Sequence, residues 1–207
     1  MVDRRKEDIA EEIDKLIEEG TIEPSESPFN NAFLPVAKTC PVTGKLKIRI
    51  CLDCRSINRH VVADIIPVND VQTLINRLDG VQFMSVIDCA SGYLQIPLER
   101  ESQKYTSFKF RSRSYTYKKL PFGLASAPAC YTRLMNIVLS GVPNVFCYMD
   151  DIILYSKTLD KHLARLDLIF KRFSFHGLEL NIKKCQFLKT EVEYLGFRNL
   201  DVDHGPR

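Results

Sequence analysis

The sequence has 207 residues, of which 45% are hydrophobic and 27% charged, an ordinary composition for a globular domain with a substantial core. The longest apolar runs are too short to span a bilayer, and the first twenty residues carry charges where a signal peptide needs an apolar segment. We therefore expect neither membrane insertion nor secretion. Seven cysteines, an odd number scattered through apolar segments, indicate buried thiols in a reducing compartment.

The net charge of +3 is unevenly distributed along the chain. Residues 1–26 contain four basic and ten acidic residues, which leaves 25 basic and 16 acidic residues in 27–207. The larger part is therefore positively charged, as is typical of domains with a polyanionic partner such as nucleic acid. Many small domains have a similar charge without such a partner, so the charge favours this class and does not establish it.

Four segments have the hydrophobic periodicity of helices. They are predicted at about 4–19, at about 69–79, after "SAPA", and at about 159–176. Ser126 and Pro128 suit the cap and first turn of the third helix, and Gly20 and Gly177 are typical helix ends. The fourth helix is expected to pack through a set of apolar residues, namely Leu163, Leu166, Ile169, Phe170 and Phe173. We expect His162 and His176 to lie in solvent or at the helix end.

Strand-like runs lie between the predicted helices, at 45–54, 82–89, 105–120 and 145–156. The C-terminal run "EVEYLGFRNLDV" predicts a further hairpin. Helices and strands mix without regular βαβ alternation, so the predicted fold class is α+β with a mainly antiparallel sheet packed on helices.

Three aspartates stand at the ends of apolar strand-like runs. Asp150 and Asp151 are predicted at the tip of a hairpin, where a turn can bring both side chains to one side, and Asp88 ends the run "FMSVID". Carboxylates on two strands of one sheet are suitable ligands for Mg²⁺. Two such ions roughly 3.5–4 Å apart can stabilise the attacking and leaving oxygens of a phosphoryl displacement. A solvated turn is the alternative interpretation, because Asp is a favoured turn residue.

Five longer motifs occur in order: "IDCASGYLQIPL", "LPFGLASAPACYTRLMN", "YMDDIILYS", "HGLELNIKKCQF" and "VEYLGF". With them the chain resembles the reverse transcriptases of gypsy-type LTR retrotransposons, and more distantly those of retroviruses, over about residues 3–205. The resemblance implies the fingers and palm of a right-hand polymerase, with fingers at 1–63 and 96–126 and palm at 64–95 and 127–207. It implies an RNA-directed DNA polymerase that transfers a nucleotidyl group from a dNTP to a primer 3′-hydroxyl.

The resemblance also implies the catalytic residues. Asp88, Asp150 and Asp151 would bind two Mg²⁺ ions, with Mn²⁺ as a substitute metal, and the carbonyl of Cys89 would be a further ligand. Lys184, rather than its neighbour Lys183, would protonate the leaving pyrophosphate. The primer grip, which positions the primer terminus, is assigned to Leu195 and Gly196.

Further residues are implied to contact the incoming dNTP. Tyr93 would pack under the sugar and exclude a 2′-hydroxyl, Phe122 would lie beside the nucleotide, and Gly123 would let the backbone approach the substrate closely. Arg49 would contact the triphosphate, because a planar guanidinium suits phosphate oxygens. Its companion lysine is Lys38, Lys45 or Lys47, of which we favour Lys47; solvated charges on a hairpin are the alternative.

The run 105–120 combines basic and aromatic residues. The cations of this run are Lys109, Arg111, Arg113, Lys118 and Lys119, and Lys104 directly precedes it. The aromatic residues between them are Phe108, Tyr115 and Tyr117. We expect the cations to bind template phosphates and the rings to stack on bases. A basic, exposed strand face without a nucleic-acid contact is the alternative.

The pair Cys51 and Cys54, with His60 nearby, does not predict a zinc site. Structural zinc needs four ligands, and a second pair at suitable spacing is missing from the sequence.

The resemblance implies an RNA or DNA template, a nucleic-acid primer and dNTP as partners, in cytoplasmic virus-like particles or the nucleus. In the family a thumb, a connection and an RNase H domain follow, whereas this sequence stops at "DVDHGPR", so we expect weak binding of primer–template. One alternative is a transposon-derived remnant that binds nucleic acid without catalysis. Another is a two-metal nuclease or phosphatase, in which the "LPFGL" and "YLGF" motifs have no role.

Overall fold

A computed structural model of the chain describes residues 2–39, 46–62, 74, 76–78, 80–148, 151–194 and 197–201. Asp150, Leu195, Gly196, Lys45 and nearly all of the predicted second helix lie outside these residues. Lys38 and Lys47 are described by their backbones alone.

The elements follow one another in a mixed order of helices and strands. They are α1 (Val2–Glu18), β1 (Ile22–Pro24), β2 (Phe33–Thr39), β3 (Leu46–Leu52), α2 (Arg55–Asn58), β4 (Phe83–Asp88), α3 (Arg100–Gln103), β5 (Phe108–Phe110), β6 (Arg113–Tyr117), α4 (Ala127–Val138), β7 (Val145–Tyr148), β8 (Asp151–Ser156), α5 (Leu159–Phe175), β9 (Gln186–Lys189), β10 (Glu191–Tyr194) and β11 (Phe197–Asp201). Two 3₁₀ turns cover Gly92–Gln95 and Lys104–Thr106. Among the described residues, no helix has the length and apolarity needed to cross a membrane.

The chain divides into two compact units. The first consists of Met1–Ala63 and Tyr93–Ala127, and the second of Asp64–Gly92 and Pro128–Arg207. The assignment of a fingers function to one and a palm function to the other stays a prediction.

The first unit contains two antiparallel sheets, one of order β1-β6-β5 and a two-stranded sheet of β2 and β3. Helix α1 buries Ile9, Ile13 and Leu16, one apolar stripe at helical spacing, and contacts β1 and β3. The helix predicted at 4–19 is thereby confirmed. The run 105–120 differs from a simple pair of strands, because Lys104–Thr106 is a 3₁₀ turn and only β5 and β6 pair as a hairpin.

The second unit is built on an antiparallel sheet of order β7-β8-β4-β9, with the separate hairpin β10–β11. One face of β4 and β8 joins a core with β7 and β10, formed by Met84, Val86, Phe146, Ile153, Tyr155, Val192 and Tyr194, among others. The two predicted hairpins, the third and fourth helices and the α+β class with antiparallel sheet are therefore confirmed.

The packing face of α5 corrects one prediction. Leu166, Ile169 and Phe173 are buried as expected, but the expected packing residues Leu163 and Phe170 are 46% and 38% exposed. The prediction for His162 was wrong, because this residue is fully buried and its Nε2 lies 2.7 Å from the hydroxyl oxygen of Ser85 on β4. The buried stripe therefore runs through positions 162, 166, 169 and 173, and a hydrogen-bonded imidazole occupies the place expected for an aliphatic side chain.

Candidate active site

Two of the three predicted aspartates lie opposite one another on neighbouring strands. Asp88 is the last residue of β4, Asp151 is the first of β8, and the two are register partners in the antiparallel pair. Directly opposed residues point to the same face of a sheet, with Cβ atoms typically about 4.5–5.5 Å apart. The alternation of the strands thus brings two carboxylates together beyond the buried partners Val86 and Ile153.

The carboxylate of Asp88 has two different oxygen environments. Its Oδ2 accepts a hydrogen bond from Nζ of Lys184 at 3.0 Å, an ion pair in which the side chains are 23% and 60% exposed, respectively. Its Oδ1 is buried and has no hydrogen-bond partner within the described part of the chain. A buried carboxylate oxygen without a donor is costly, and a cation is a suitable partner for it.

The segment that contains Lys184 is fixed to the end of β4 by backbone contacts. The amide of Asn181 donates to the carbonyl of Asp88 at 2.9 Å, and the amide of Asp88 donates to Sγ of Cys185 at 3.4 Å. Cys89 is buried and forms an antiparallel bridge with Leu180. These contacts hold the turn beside Asp88. The backbone therefore keeps Lys184 close to the carboxylate, whichever rotamer the lysine side chain adopts.

Sequence reasoning missed Tyr194 as a contributor to this site. Its buried hydroxyl donates to the carbonyl of Asp151 at 2.9 Å, and desolvation on burial raises the pKa of Tyr194 above its ordinary value. Tyr194 is the last residue of β10 and precedes the predicted primer-grip residues Leu195 and Gly196, which lie outside the described residues. The available signal was the motif "VEYLGF" itself, in which this tyrosine directly precedes the two residues.

The third aspartate, Asp150, directly precedes β8 in the sequence and lies outside the described residues. Within the described ranges, no group of three or more His, Cys, Asp or Glu side chains is placed to hold a metal ion. The residues present nevertheless fit a divalent cation, because Asp88 and Asp151 face one another and Oδ1 of Asp88 is buried without a donor.

In the first unit the structure brings together two of the predicted nucleotide contacts. The rings of Tyr93 and Phe122 lie 5.5 Å apart between centroids with an interplanar angle of 54°. Tyr93 lies in the 3₁₀ turn Gly92–Gln95, and Phe122 lies in the loop before α4. Both rings are half-buried, so they form a partly accessible aromatic pair.

Gly123 has an intramolecular reason to be glycine. Its φ is +102°, and an added Cβ would lie 3.1 Å from the carbonyl oxygen of Leu52 and 3.5 Å from Sγ of Cys54. Asn58, which sequence reasoning missed, bonds both sides of this loop: its Nδ2 donates to the carbonyl of Gly123 at 2.9 Å, and its Oδ1 accepts from the amide of Ala125 at 2.8 Å. Burial raises the pKa of Cys54 to about 11, so its thiol stays protonated at neutral pH.

Arg49 lies on the exposed side of β3, between the buried residues Ile48 and Ile50. Its partner in register is Val36 on β2, and the candidate lysines Lys38 and Lys47 are register partners of each other two residues further along. The strand alternation thus presents the guanidinium to solvent, as a phosphate contact requires.

The expected base-stacking role of the 105–120 run is contradicted. Phe108, Tyr115 and Tyr117 are buried, with at most 6% of their surface exposed. The physical reason is packing inside the first unit: Phe108 contacts Tyr115 and Tyr117 with ring centroids 5.9 and 5.7 Å apart, and the Tyr117 hydroxyl donates to the carbonyl of Ile50 on β3 at 3.3 Å. Lys109, Arg111 and Arg113 are exposed around the β5–β6 turn, so phosphate binding by these cations stays a prediction.

The other cations of this run have partners inside the unit. Lys118 pairs with Glu23 at 3.4 Å, Lys104 approaches Glu101 at 3.8 Å, and Lys119 donates to the carbonyl of Glu19 at 3.1 Å.

Comparisons with known proteins agree with the motifs. The family model described as reverse transcriptase (RNA-dependent DNA polymerase) matches residues 37–199. The retrovirus-related Pol polyproteins from transposons 297 and gypsy of Drosophila melanogaster are 34% and 31% identical to this chain over 91% and 90% of its length. This chain spans only 18% of the length of each of those two relatives.

Solved structures give the same result for the fold. A foamy viral protease–reverse transcriptase in complex with double-stranded DNA superposes with a TM-score of 0.83 and 29% identity, over 92% of this chain and 33% of that one. The foamy viral enzyme in complex with an RNA/DNA hybrid gives a TM-score of 0.83 and 28% identity, over 94% and 26% of the two chains. The resemblance to gypsy-type elements and the polymerase-like α+β fold are thus confirmed, and the chain belongs to the reverse transcriptase (RNA-dependent DNA polymerase) family.

Proposed function

We propose that this chain is the fingers-and-palm module of an RNA-directed DNA polymerase, which joins a dNTP to a primer 3′-hydroxyl and releases pyrophosphate. The observation that carries the proposal is the register of Asp88 with Asp151 at the ends of two buried strands, in a chain of the reverse transcriptase family. Opposed carboxylates at the ends of two buried strands repel one another, and a divalent cation bound between them would offset that repulsion.

Asp88 and Asp151, with Asp150, are the residues that would hold Mg²⁺ or Mn²⁺, together with the carbonyl of Cys89. Bound there, two divalent ions would lower the pKa of the attacking hydroxyl and neutralise charge on the triphosphate. The buried Oδ1 of Asp88 supports this assignment, because it lacks a donor among the described residues.

The other residues act on the nucleotide directly. The half-buried aromatic pair of Tyr93 and Phe122 supplies the wall against which a deoxyribose fits and a 2′-hydroxyl clashes. Arg49 binds the triphosphate through its exposed guanidinium, and Lys184 donates a proton to the leaving pyrophosphate. The loop that carries Phe122 is fixed by Asn58, which keeps the wall in place.

Template and primer are the expected macromolecular partners. Lys109, Arg111 and Arg113 supply positive charge for backbone phosphates, without base stacking by the buried rings beside them. Support comes from the solved neighbours, which were obtained with double-stranded DNA and with an RNA/DNA hybrid.

Primer extension on an RNA template with Mg²⁺ tests the proposal. We expect Asp88→Asn and Asp151→Asn to lower the extension rate by at least about 100-fold, because each removes a charge that holds the metal. Asp167→Asn is the matched control, since Asp167 is exposed on α5 and pairs only with Lys171 in the described chain. Extension that survives both active-site substitutions would contradict the site, and salt-sensitive binding without any extension by the unaltered chain would favour a binding remnant.

A further inference from the structure

Lys184 contacts the very carboxylate that is proposed to bind the metal. Its Nζ lies 3.0 Å from Oδ2 of Asp88, although its side chain is 60% exposed and has room to leave. The backbone of the same turn is fixed, through the bond from the Asn181 amide to the Asp88 carbonyl and those from the amides of Lys184 and Cys185 to the Asn181 carbonyl. A fixed backbone with an exposed, flexible side chain allows the ammonium to move while the turn stays in place.

The ion pair of Lys184 with Asp88 reduces the repulsion between two carboxylates in the metal-free protein. Asp88 and Asp151 face one another across the β4–β8 pair, and like charges in that arrangement destabilise a sheet. Among the described side chains, Lys184 is the cation recorded in an ion pair with Asp88. Its single positive charge offsets part of the repulsion before any other cation is present.

A divalent cation at Asp88 and the ammonium of Lys184 oppose one another. Both are attracted to the same carboxylate, and two positive charges a few ångströms apart repel one another, although solvent at a partly exposed site weakens the repulsion. The ammonium lies at Oδ2, and Oδ1 is the oxygen without a donor among the described residues, so it is repulsion between the two cations across one carboxylate that opposes their simultaneous binding. Because coupling between two ligands of one site is reciprocal, the lysine weakens metal binding to the extent that metal binding displaces the lysine.

We propose that Lys184 is an exchangeable counter-ion, which neutralises Asp88 in the metal-free protein and is displaced when a divalent cation binds. The inference rests on the proposed function, since it takes the metal site from there. Displacement releases the ammonium from the carboxylate in the metal-bound state, the state in which its proton is needed at the leaving group. The lysine therefore links metal occupancy to the availability of the proton donor.

Direct binding of Mn²⁺ to the full chain tests this without any polymerase assay. Free Mn²⁺ is measured by electron paramagnetic resonance during titration of the unaltered protein, Lys184→Met and the matched control Lys183→Met, each compared with the same protein carrying Asp88→Asn. Both lysine variants remove one positive charge from neighbouring exposed positions, so they share any long-range electrostatic effect. We expect Lys184→Met to bind the Asp88-dependent Mn²⁺ about threefold to tenfold more tightly, and Lys183→Met to change affinity by less than about twofold.

Thermal unfolding in the presence of a chelator gives a second measurement. We expect Lys184→Met to lower the unfolding midpoint more than Lys183→Met does, and added Mn²⁺ to remove that difference, because the metal takes over the neutralisation. Equal affinities of the two lysine variants, or weaker binding by Lys184→Met, would overturn the counter-ion role and leave the proposed function standing. Mn²⁺ binding that Asp88→Asn leaves unchanged in every background would overturn both.

Discussion

The two units use their strands in different ways. In the second unit β4 and β8 are the central strands of the four-stranded sheet, and Ile152, Ile153 and Leu154 are fully buried although they alternate between its two faces. In the first unit β2 and β3 form a two-stranded sheet that buries Ile48 and Ile50 on one side. Leu34 and Val36 of β2, by contrast, are 61% and 47% exposed.

The difference determines where each unit places its charges. A strand covered on both faces has room for a carboxylate only at its end, and there Asp88 meets the turn of Lys184. A strand with one open face has room for a charge along its length, as Arg49 shows between two buried isoleucines. The charge of Asp88 is therefore coupled to the stability of the second unit, whereas the exposed charge of Arg49 is largely independent of the stability of the first.

Shortening one buried and one exposed aliphatic side chain provides the strongest test of this contrast. We expect Ile153→Ala to lower the free energy of unfolding by about 2–5 kcal/mol, because it leaves a cavity in a sheet with both faces covered. The matched change Val36→Ala on β2 removes a half-exposed side chain and should cost less than about 1 kcal/mol. Urea unfolding followed by circular dichroism measures both, and equal costs would show that the two sheets do not differ as described.

A smaller effect is expected from two glycines that both have positive φ. Gly123 in the first unit lies against the Leu52 carbonyl, whereas an added Cβ at Gly141 in the second unit would meet no atom within 4 Å. Both changes to alanine carry the left-handed backbone cost of about 1–2 kcal/mol, and Gly123→Ala adds the steric contact, for a further 1 kcal/mol or so. The free energy of unfolding of the two variants is compared under one condition, and a larger loss at Gly141 would contradict the close approach at Gly123.

The strands of the candidate site could be predicted because the local hydrophobic pattern and the longer motifs both place strands there. Apolar runs ending in aspartate predicted β4 and the β7–β8 hairpin, and the ordered motifs linked Asp88 to Asp151 across 63 positions of sequence. Local alternation is enough to define such strands, and a motif supplies the long-range pairing that alternation cannot.

The errors occurred where burial depends on a partner far away in sequence. Tyr115 and Tyr117 were expected to stack on bases, but both rings pack against Phe108, and the Tyr117 hydroxyl donates to the carbonyl of Ile50, 67 positions earlier. His162 was expected in solvent or at the helix end, but it is buried and hydrogen-bonded to Ser85, which lies 77 positions earlier. Neither contact leaves a signal in the local sequence, since the residue types involved occur on surfaces and in cores alike.

The smallest predicted effect concerns the titratable group that the second unit buries in its interior. Desolvation, with a smaller contribution from nearby Arg165, lowers the pKa of His162 below its ordinary value of 6.5. Its Nδ1 is buried and has no hydrogen-bond partner in the described residues. The imidazole is therefore neutral in the folded protein at neutral pH, and a proton on it would be a charge in an apolar interior.

The sign of the pH effect follows from proton binding in the two states. Above about pH 6.5 the imidazole is neutral in both states, and below it the unfolded chain takes up the proton first, so stability falls as pH falls towards the folded-state pKa. The loss due to His162 is at most about 1.4 kcal/mol per pH unit. We expect His162→Gln to remove this part of the slope between pH 6.5 and 5, and His176→Gln, at the exposed end of α5, to keep it. Urea unfolding at each pH measures the free energy of unfolding. If its slope against pH is the same for His162→Gln as for the unaltered protein, His162 takes up its proton in the folded state. The second unit would then tolerate a charge inside its core as well as at its strand ends.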